Sequence, residues 1–317
     1  MSAALKSGIV YSDEYLKHVT PPGHPESARR AEVVMQGLTE GGLLDRMERI
    51  QPRPATQEEI LRCHGDRYFE IAKSDVQRGL ADLSTGDTNI CERSFDVALL
   101  AAGGVISAVN AVVEKKVRNA FCVVRPPGHH ATPNKGMGFC LFNNIAIGAR
   151  HAQQKHKIGK VLIADFDVHH GNGTQDTFYE DDSVLFFDSH QSPWYPGTGD
   201  ASETGTGRGL GSTINCPFPA GAGRSEVLGA FQGKLVDAAQ KFKPDLIMLS
   251  AGFDSRIGDP LGSFKLSDED FADLTRVMLH LAKEYAEGRL ITVLEGGYNL
   301  RGLMKGTTSH VQTLIEG

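Results

Sequence analysis

Short runs of apolar and β-branched residues recur along the chain at Gly8–Tyr11, Ala120–Val124, Lys160–Ala164, Val184–Phe187, Thr213–Cys216, Leu246–Leu249 and Leu290–Leu294. Near-continuous apolar runs of this kind, rather than alternating ones, are the pattern of strands buried on both faces. Between them the apolar positions recur with helical spacing, over Glu26–Leu38, Gln57–Ala72, Phe95–Glu114, Asn143–Gln154, Ser225–Phe242 and Asp268–Ala286. Ser267, with Asp270 three residues on, predicts a capping box at the start of the last of these. Strands that alternate with helices predict an α/β fold, with a mostly parallel central sheet and helices on both faces. No repeat, low-complexity segment or Ser/Gly/Pro linker interrupts the alternation, so residues 1–317 are expected to form a single domain.

Glycine sharpens the picture. The 36 glycines gather just after the predicted strands, in PPGHH, HHGNG, PGTGD, GTGRGLG, SAGFDS and EGGYN. In a parallel α/β sheet the loops at the carboxyl ends of the strands form the ligand crevice, and glycine there permits tight turns. Five of the predicted strands run directly into reactive side chains. The segments are Arg125–His130, Asp165–Gly173, Asp188–His190, Ser250–Asp254 and Glu295–Tyr298. Five strand ends that deliver His, Asp or Tyr to one sheet edge point to a single site.

The chemistry follows from residue type. Asp165, Asp167 and His169 alternate at period two, which places all three on one side if the strand continues that far. Asp167 and His169 can then ligate one metal, with Asp254 from another strand end as third ligand. Two carboxylates and one imidazole leave a coordination position open, as in catalytic sites. The mixed N/O set suits Zn²⁺ and also Fe²⁺, Mn²⁺ or Co²⁺. Buried carboxylates without a cation would be costly, which argues for a bound ion. His129 and His130 follow a rigid Pro126-Pro127-Gly128 turn and can serve as base and electrostatic partner for a water activated at the metal. Tyr298, after Gly296-Gly297, sits on a turn that reads as flexible and can donate its hydroxyl to a developing oxyanion.

Composition narrows the partners. Lys+Arg 33 against Asp+Glu 39 gives a net charge of −6, which argues against a nucleic-acid-coating surface. The five cysteines are odd in number and lack C-x-x-C spacing, so a disulfide framework is not expected and a reducing compartment is. The N-terminus has no long apolar segment of the signal-peptide kind, and no window reads as a membrane span. These features together predict a cytoplasmic protein with no membrane partner, and they say nothing of oligomeric state.

RPPGHH, DFDVHHGNGTQ, WYPGTG, SAGFDS and EGGYN, in this order from about Pro21 to Tyr298, resemble the histone deacetylase and acetylpolyamine amidohydrolase superfamily. Asn172 in HHGNG and the GHPES stretch at Gly23–Ser27 resemble the class II and bacterial pattern. The resemblance implies a single α/β domain with an eight-stranded parallel sheet, as in arginases. It also implies a hydrolase that removes acetyl or related acyl groups from lysine side chains or similar amines. By motif, Asp167, His169 and Asp254 would hold one catalytic Zn²⁺, and His130 would be general base and acid. His129 would be its electrostatic partner, held by Asp165, and Asn172 would contact His130. Tyr298 would stabilise the oxyanion. Gly138, Phe139 and Tyr195 would line a tunnel for the substrate stem. Asp165, Asp167, His169, Asp188 and Ser189 would surround a structural K⁺, some through backbone carbonyls. The design suits the substrate, because an aromatic tunnel buries lysine methylenes at ~0.8 kcal/mol each.

Three alternatives are distinguishable on the residues. An arginase-type site with two Mn²⁺ would need an Asp two residues after His169, where this chain has Gly171. A non-catalytic acyl-lysine binder is expected to have lost a ligand, a His or the Tyr, and none is lost. Polyamine-selective class II relatives carry a Glu seven residues beyond the last Asp ligand. Leu261 stands at that position, which favours an acyl-lysine peptide, protein or small acylated amine over an acetylpolyamine.

Overall fold

In the computed structural model, which describes residues 5–317, one eight-stranded, all-parallel sheet runs through the chain. Its strands are β1 (Ser7–Val10), β2 (Met47–Ile50), β3 (Asn119–Cys122), β4 (Val161–Asp165), β5 (Val184–Gln191), β6 (Thr213–Phe218), β7 (Leu246–Ala251) and β8 (Leu290–Leu294). The spatial order is β2-β1-β3-β8-β7-β4-β5-β6, so the last strand in sequence is inserted at the middle of the sheet. Parallel pairing is possible because helices carry the chain back between strands. These are α1 (Arg29–Glu40), α2 (Gln57–Ile60), α3 (Asp66–Gln77), α4 (Ser94–Val113), α5 (Asn144–His156), α6 (Asn172–Phe178), α7 (Arg224–Ala230), α8 (Val236–Phe242), α9 (Asp268–Tyr285) and α10 (Leu300–Glu316). Two apolar layers result. One packs residues of α3, α4 and α5 against the sheet, and the other those of α1, α7, α9 and α10.

Every predicted strand is present. β2, with the sequence MERI, escapes the apolar criterion because it lies at the sheet edge and only its Met47 is buried. β5 runs four residues past its apolar run, so Asp188, Ser189 and His190 lie within the strand rather than after it. Ser267 and Asp270 form the expected capping box, with Ser267 N donating to Asp270 Oδ2 at 2.7 Å.

Some helical expectations are corrected. Gln57–Ala72 is two helices, because His64 turns inward. Its Nε2 accepts from Asn143 N at 2.9 Å, and Gly65 N donates to Pro133 O at 2.8 Å. Those tertiary bonds replace the helical ladder between α2 and α3. Ser225–Phe242 is interrupted by a wide π-turn at Phe231–Leu235, which seats Phe231 and Leu235 in the core. α4 is long and apolar enough to cross a membrane, contrary to the reading of the sequence. In the fold it is the central core helix, packed on α5 and β1 and largely buried.

Candidate metal and acyl-amide site

The five strands whose ends carry the reactive residues are consecutive in the sheet, β3-β8-β7-β4-β5. Their carboxyl ends therefore meet in one crevice. β4 stops at Asp165, so the period-two extension through His169 does not occur. The chain coils instead. Asp165 Oδ1 accepts from Asp167 N, and Asp167 Oδ1 from His169 N, both at 2.9 Å. Each aspartate thus captures the amide two residues on, an Asx turn repeated twice. The coil still gathers Asp167 and His169, and the loop after β7 adds Asp254. His169 Nδ1 lies 3.0 Å from Asp167 Oδ1 and 3.2 Å from Asp254 Oδ2. One ligand atom from each of the three residues falls within 4.8 Å of the others, and all three are buried.

Two glycines make room for these carboxylates. A Cβ on Gly252 would overlap Asp167, and one on Gly296 would overlap Asp254. Gly296 N donates to Asp167 Oδ2 at 2.8 Å, and Val168 N to Asp254 Oδ1 at 2.9 Å. Backbone amides thus orient both carboxylates toward their shared neighbour, His169. Burial and the neighbouring Asp167 charge push the Asp254 carboxyl up to about 7. Burial alone would depress His169, but its bonds to Asp167 and Asp254 raise it to about 10. Carboxylates this crowded fit a divalent cation between them, and an oxygen-rich set with one imidazole suits zinc.

The two imidazoles after β3 lie side by side with ring centroids 4.0 Å apart, and they differ electrostatically. His129 Nδ1 is 3.0 Å from Asp165 Oδ2. Burial lowers its pKa, but the Asp167 and Asp165 carboxylates outweigh burial and lift it well above the ordinary value. His130 Nδ1 faces the neutral amide of Asn172 at 2.8 Å. Burial, then the charges of His129 and His169, hold it well below the ordinary value. The surroundings thus favour the charged form of His129 and the neutral form of His130.

A cavity of about 270 Å³ leads down to His130 and His169 between Gly138, Phe139, Trp194, Tyr195, Leu261 and Tyr298, with Asp87 at its rim. Gly138 (φ 57°) and Phe139 (φ 68°) are both left-handed. A side chain on Gly138 would strike the His130 ring, and the strained Phe139 is aimed at the cavity. Phe139 meets the Tyr298 ring edge-on at 5.9 Å between centroids, and Tyr195 meets His130 at 5.2 Å. Asp188 is the register partner of Asp165. It accepts from Gly171 N at 2.8 Å, and Ser189 Oγ approaches Asp165 O at 3.4 Å. The predicted tunnel residues, His130, His169 and Tyr298 thus line this cavity, and Asp165, Asp188 and Ser189 are wholly buried behind it.

Several residues escape the sequence reading. Glu295 stands in EGGYN, yet its strut function is invisible there. Its carboxylate accepts from Gly128 N (2.7 Å) and His129 N (3.2 Å), which ties the histidine turn to β8. Asp87 accepts from Gly138 N at 2.8 Å and from Tyr195 OH at 3.1 Å, bridging two walls. It stands in a loop without periodicity, and no spacing marks it. Trp194 donates its indole N–H to Leu261 O at 2.8 Å. Arg30 is wholly buried. It donates to Gly297 O at 2.7 Å and pairs with Glu26 at 3.2 Å.

A parallel sheet whose central strand ends pool metal-binding carboxylates and a histidine pair beneath an aromatic cavity defines a metallohydrolase. Comparison with known proteins narrows the class. The pattern described as "Histone deacetylase domain" matches residues 24–314. A "Probable deacetylase" of Archaeoglobus fulgidus is 40% identical over 313 residues, 98% of this chain and 86% of that protein. "Polyamine deacetylase HDAC10" of Danio rerio is 37% identical over 98% of this chain and 47% of that protein. The crystal structure titled "Crystal Structure of HDA15 HD domain" superposes with a TM-score of 0.93 at 34% identity, over 98% of this chain and 90% of that one. The chain belongs to the histone deacetylase family, whose members hydrolyse amide bonds to release acyl groups from amines.

Proposed function

We propose that residues 1–317 form one catalytic domain that removes acetyl groups from lysine side chains or chemically similar amines. The observation that carries this reading is geometric: two adjacent histidines, one bonded to the Asp165 carboxylate and the other to the Asn172 amide, stand above a convergent Asp-His-Asp set. Asp167, His169 and Asp254 would hold a Zn²⁺ ion. When bound, zinc polarises an amide carbonyl and makes a neighbouring water more acidic. The protein does the rest.

Phe139, Tyr195 and Gly138 take up the aliphatic stem and exclude water around it. His130, its Nδ1–H directed to Asn172, presents Nε2 to the cavity floor. That nitrogen accepts a proton from the attacking water and returns it to the departing amine. His129 keeps its charge on the Asp165 side, so its neighbour stays neutral until that proton arrives. Tyr298 donates its hydroxyl to the carbonyl oxygen as negative charge develops there. Asp165, Asp167, His169, Asp188 and Ser189 would hold a K⁺ ion, some through backbone carbonyls, and it would offset part of the negative charge at this end of β4 and β5.

Leu261 at the cavity rim supports an acyl-lysine substrate over a polyamine, because an apolar side chain offers no attraction to a second ammonium. The test is deacetylation by zinc-loaded protein of an Nε-acetyl-lysine peptide and of an acetylated polyamine, side by side. A higher kcat/KM on the peptide is expected. Faster turnover of the polyamine would replace the substrate reading, and hydrolysis of neither would overturn the function.

A further inference from the structure

Gly296 and Gly297, the latter at φ 119°, give the turn before Tyr298 no side chains with which to hold itself. A tyrosine that must meet an oxyanion at hydrogen-bond distance needs a fixed backbone. Arg30 holds Gly297 O and Asp167 holds Gly296 N, and a different loop fixes the two amides that follow the glycines. Asp259 lies in the segment after β7 and is 8% exposed. Its Oδ2 accepts from Tyr298 N at 2.7 Å and from Asn299 N at 2.9 Å, and its Oδ1 accepts from Leu261 N at 2.9 Å. One carboxylate therefore joins two walls of the cavity.

Two further bonds reinforce the join. Asn299 Nδ2 donates to Gly258 O at 2.8 Å, and Asn299 Oδ1 caps α10 by accepting from Gly302 N at 2.9 Å. The Tyr298 ring is flanked by Phe139 and by the Arg30 guanidinium, 4.9 Å from its centroid. These contacts fix the ring only while the backbone beneath it is fixed. An anionic acceptor of three amides is well suited to that task, because charge-assisted bonds are about twice as strong as neutral ones.

We propose that Asp259 is a positioning residue that clasps Tyr298 to the Leu261 loop, and so sets both the oxyanion donor and the rim of the acyl cavity. The proposal rests on the assignment of Tyr298 to the oxyanion. It accounts for how a tyrosine on a glycine turn is held ready for the transition state. It also links rim and floor, since a shift of Leu261 is transmitted to Tyr298 through a single side chain.

The chain carries its own reporter. Trp194 is the only tryptophan, and its indole N–H is bonded to the carbonyl of the residue that Asp259 holds, Leu261. Asp259→Asn keeps the size of the side chain but cannot accept on both of its branches. It should lower kcat on an acetyl-lysine peptide about tenfold or more, with KM changed less than about threefold, since a lost oxyanion donor costs ~10²–10³. Introduced into Tyr298→Phe, the same change should cost less than about threefold, because its target hydroxyl is already gone. Equal losses in the two backgrounds, or undiminished kcat in Asp259→Asn, would overturn the assignment. In zinc-free protein, acrylamide quenching of Trp194 should rise in Asp259→Asn and in Asp259→Ala. Unchanged quenching in Asp259→Asn overturns the clasp whatever the activity. Wild-type protein inactive on every acylated amine would instead sink the role of Tyr298 and leave the quenching result standing. Should Asp259→Ala fail to fold, Asp259→Asn carries both readouts.

Discussion

His130 Nδ1 lies 2.8 Å from Oδ1 of Asn172, an amide where a carboxylate of equal size would fit. Only a donor can face that oxygen, so the proton sits on Nδ1 and the lone pair of Nε2 is directed into the cavity. Burial, then the charges of His129 and His169, hold His130 well below its ordinary pKa, and the bond to a neutral Asn172 offsets this only in part. Asn172→Asp adds a negative charge that favours the imidazolium. The acidic limb of the kcat/KM–pH profile should then move to higher pH, by about one unit or more. A limb that stays in place would separate His130 from the titration that governs the rate.

Ligand removal should act on metal content before anything else. Asp254→Ala and Asp167→Ala each delete one of the three convergent donors. Zinc per protein, measured by atomic spectroscopy after dialysis, should fall to near zero and activity with it. Changes outside the ligand set usually cost only ~10–100-fold in metal affinity. Gly296→Ala reaches the same end by another route, since its methyl would overlap Asp254 and Asp167. It should lose zinc although no ligand is altered. A fully zinc-loaded and active Gly296→Ala protein would contradict the observed packing.

Tyr298→Phe retains the ring between Phe139 and Arg30 and removes only the hydroxyl. Thermal unfolding should be little changed, while kcat should fall ~10²–10³-fold with KM nearly constant. Steady-state kinetics on an acetyl-lysine peptide decide the matter. A fall in kcat below about threefold, under ~1 kcal/mol, removes Tyr298 from the oxyanion.

Stability should decline on acidification, and two buried histidines outside the site set part of the slope. Burial lowers His64 to about 4 and His310 to about 3. His310 is enclosed by Thr275 Oγ1 at 2.6 Å and Thr292 Oγ1 at 3.0 Å. Both rings are neutral in the fold and take up a proton near pH 6.5 when unfolded, so the unfolded chain binds more protons below that pH. Their contribution is whole above about pH 6.5 and is lost as the pH falls toward 4 and 3, at ~1.4 kcal/mol per unit for each group. Urea midpoints from pH 7 to 4.5 should trace the decline, and His310→Asn should flatten it.

The sheet and the site were unequally legible in the amino-acid sequence. Central strands such as Leu290–Leu294 are apolar on both faces, because both faces are covered, and they stand out in the chain. Edge strand Met47–Ile50 faces solvent and leaves no such trace. α10 was unread because glycines and threonines, in LRGLMKGTTSH, weaken the helical signal. One of those glycines, Gly306, lets it approach Phe253 and Phe271 closely, and the other, Gly302, faces Arg256. The metal-binding, histidine and tyrosine positions were readable because their motifs fall at strand ends. The struts that hold them were not. Asp259, Asp87 and Glu295 act on backbone amides far away in sequence, and a carboxylate in a loop does not announce which amide it will meet. The turn before Tyr298, expected to be flexible, is tied down by such a strut.

The insertion of β8 between β3 and β7 governs the order in which this protein can be made. Before Leu290–Leu294 leaves the ribosome, the strands can pair only as two separate pieces, β2-β1-β3 and β7-β4-β5-β6, each with an open inner edge. Unpaired edges are templates for association with other chains. The nascent chain therefore carries this aggregation hazard until Leu290–Leu294 is available to pair. The keystone strand also brings Gly296 and Glu295, so neither the carboxylates nor the histidine turn reach their final partners before it arrives. Closure of the sheet and birth of the active centre are one event. An arrested chain ending before residue 290 should neither retain zinc nor resist proteolysis, and the full chain released from the ribosome should acquire both properties together.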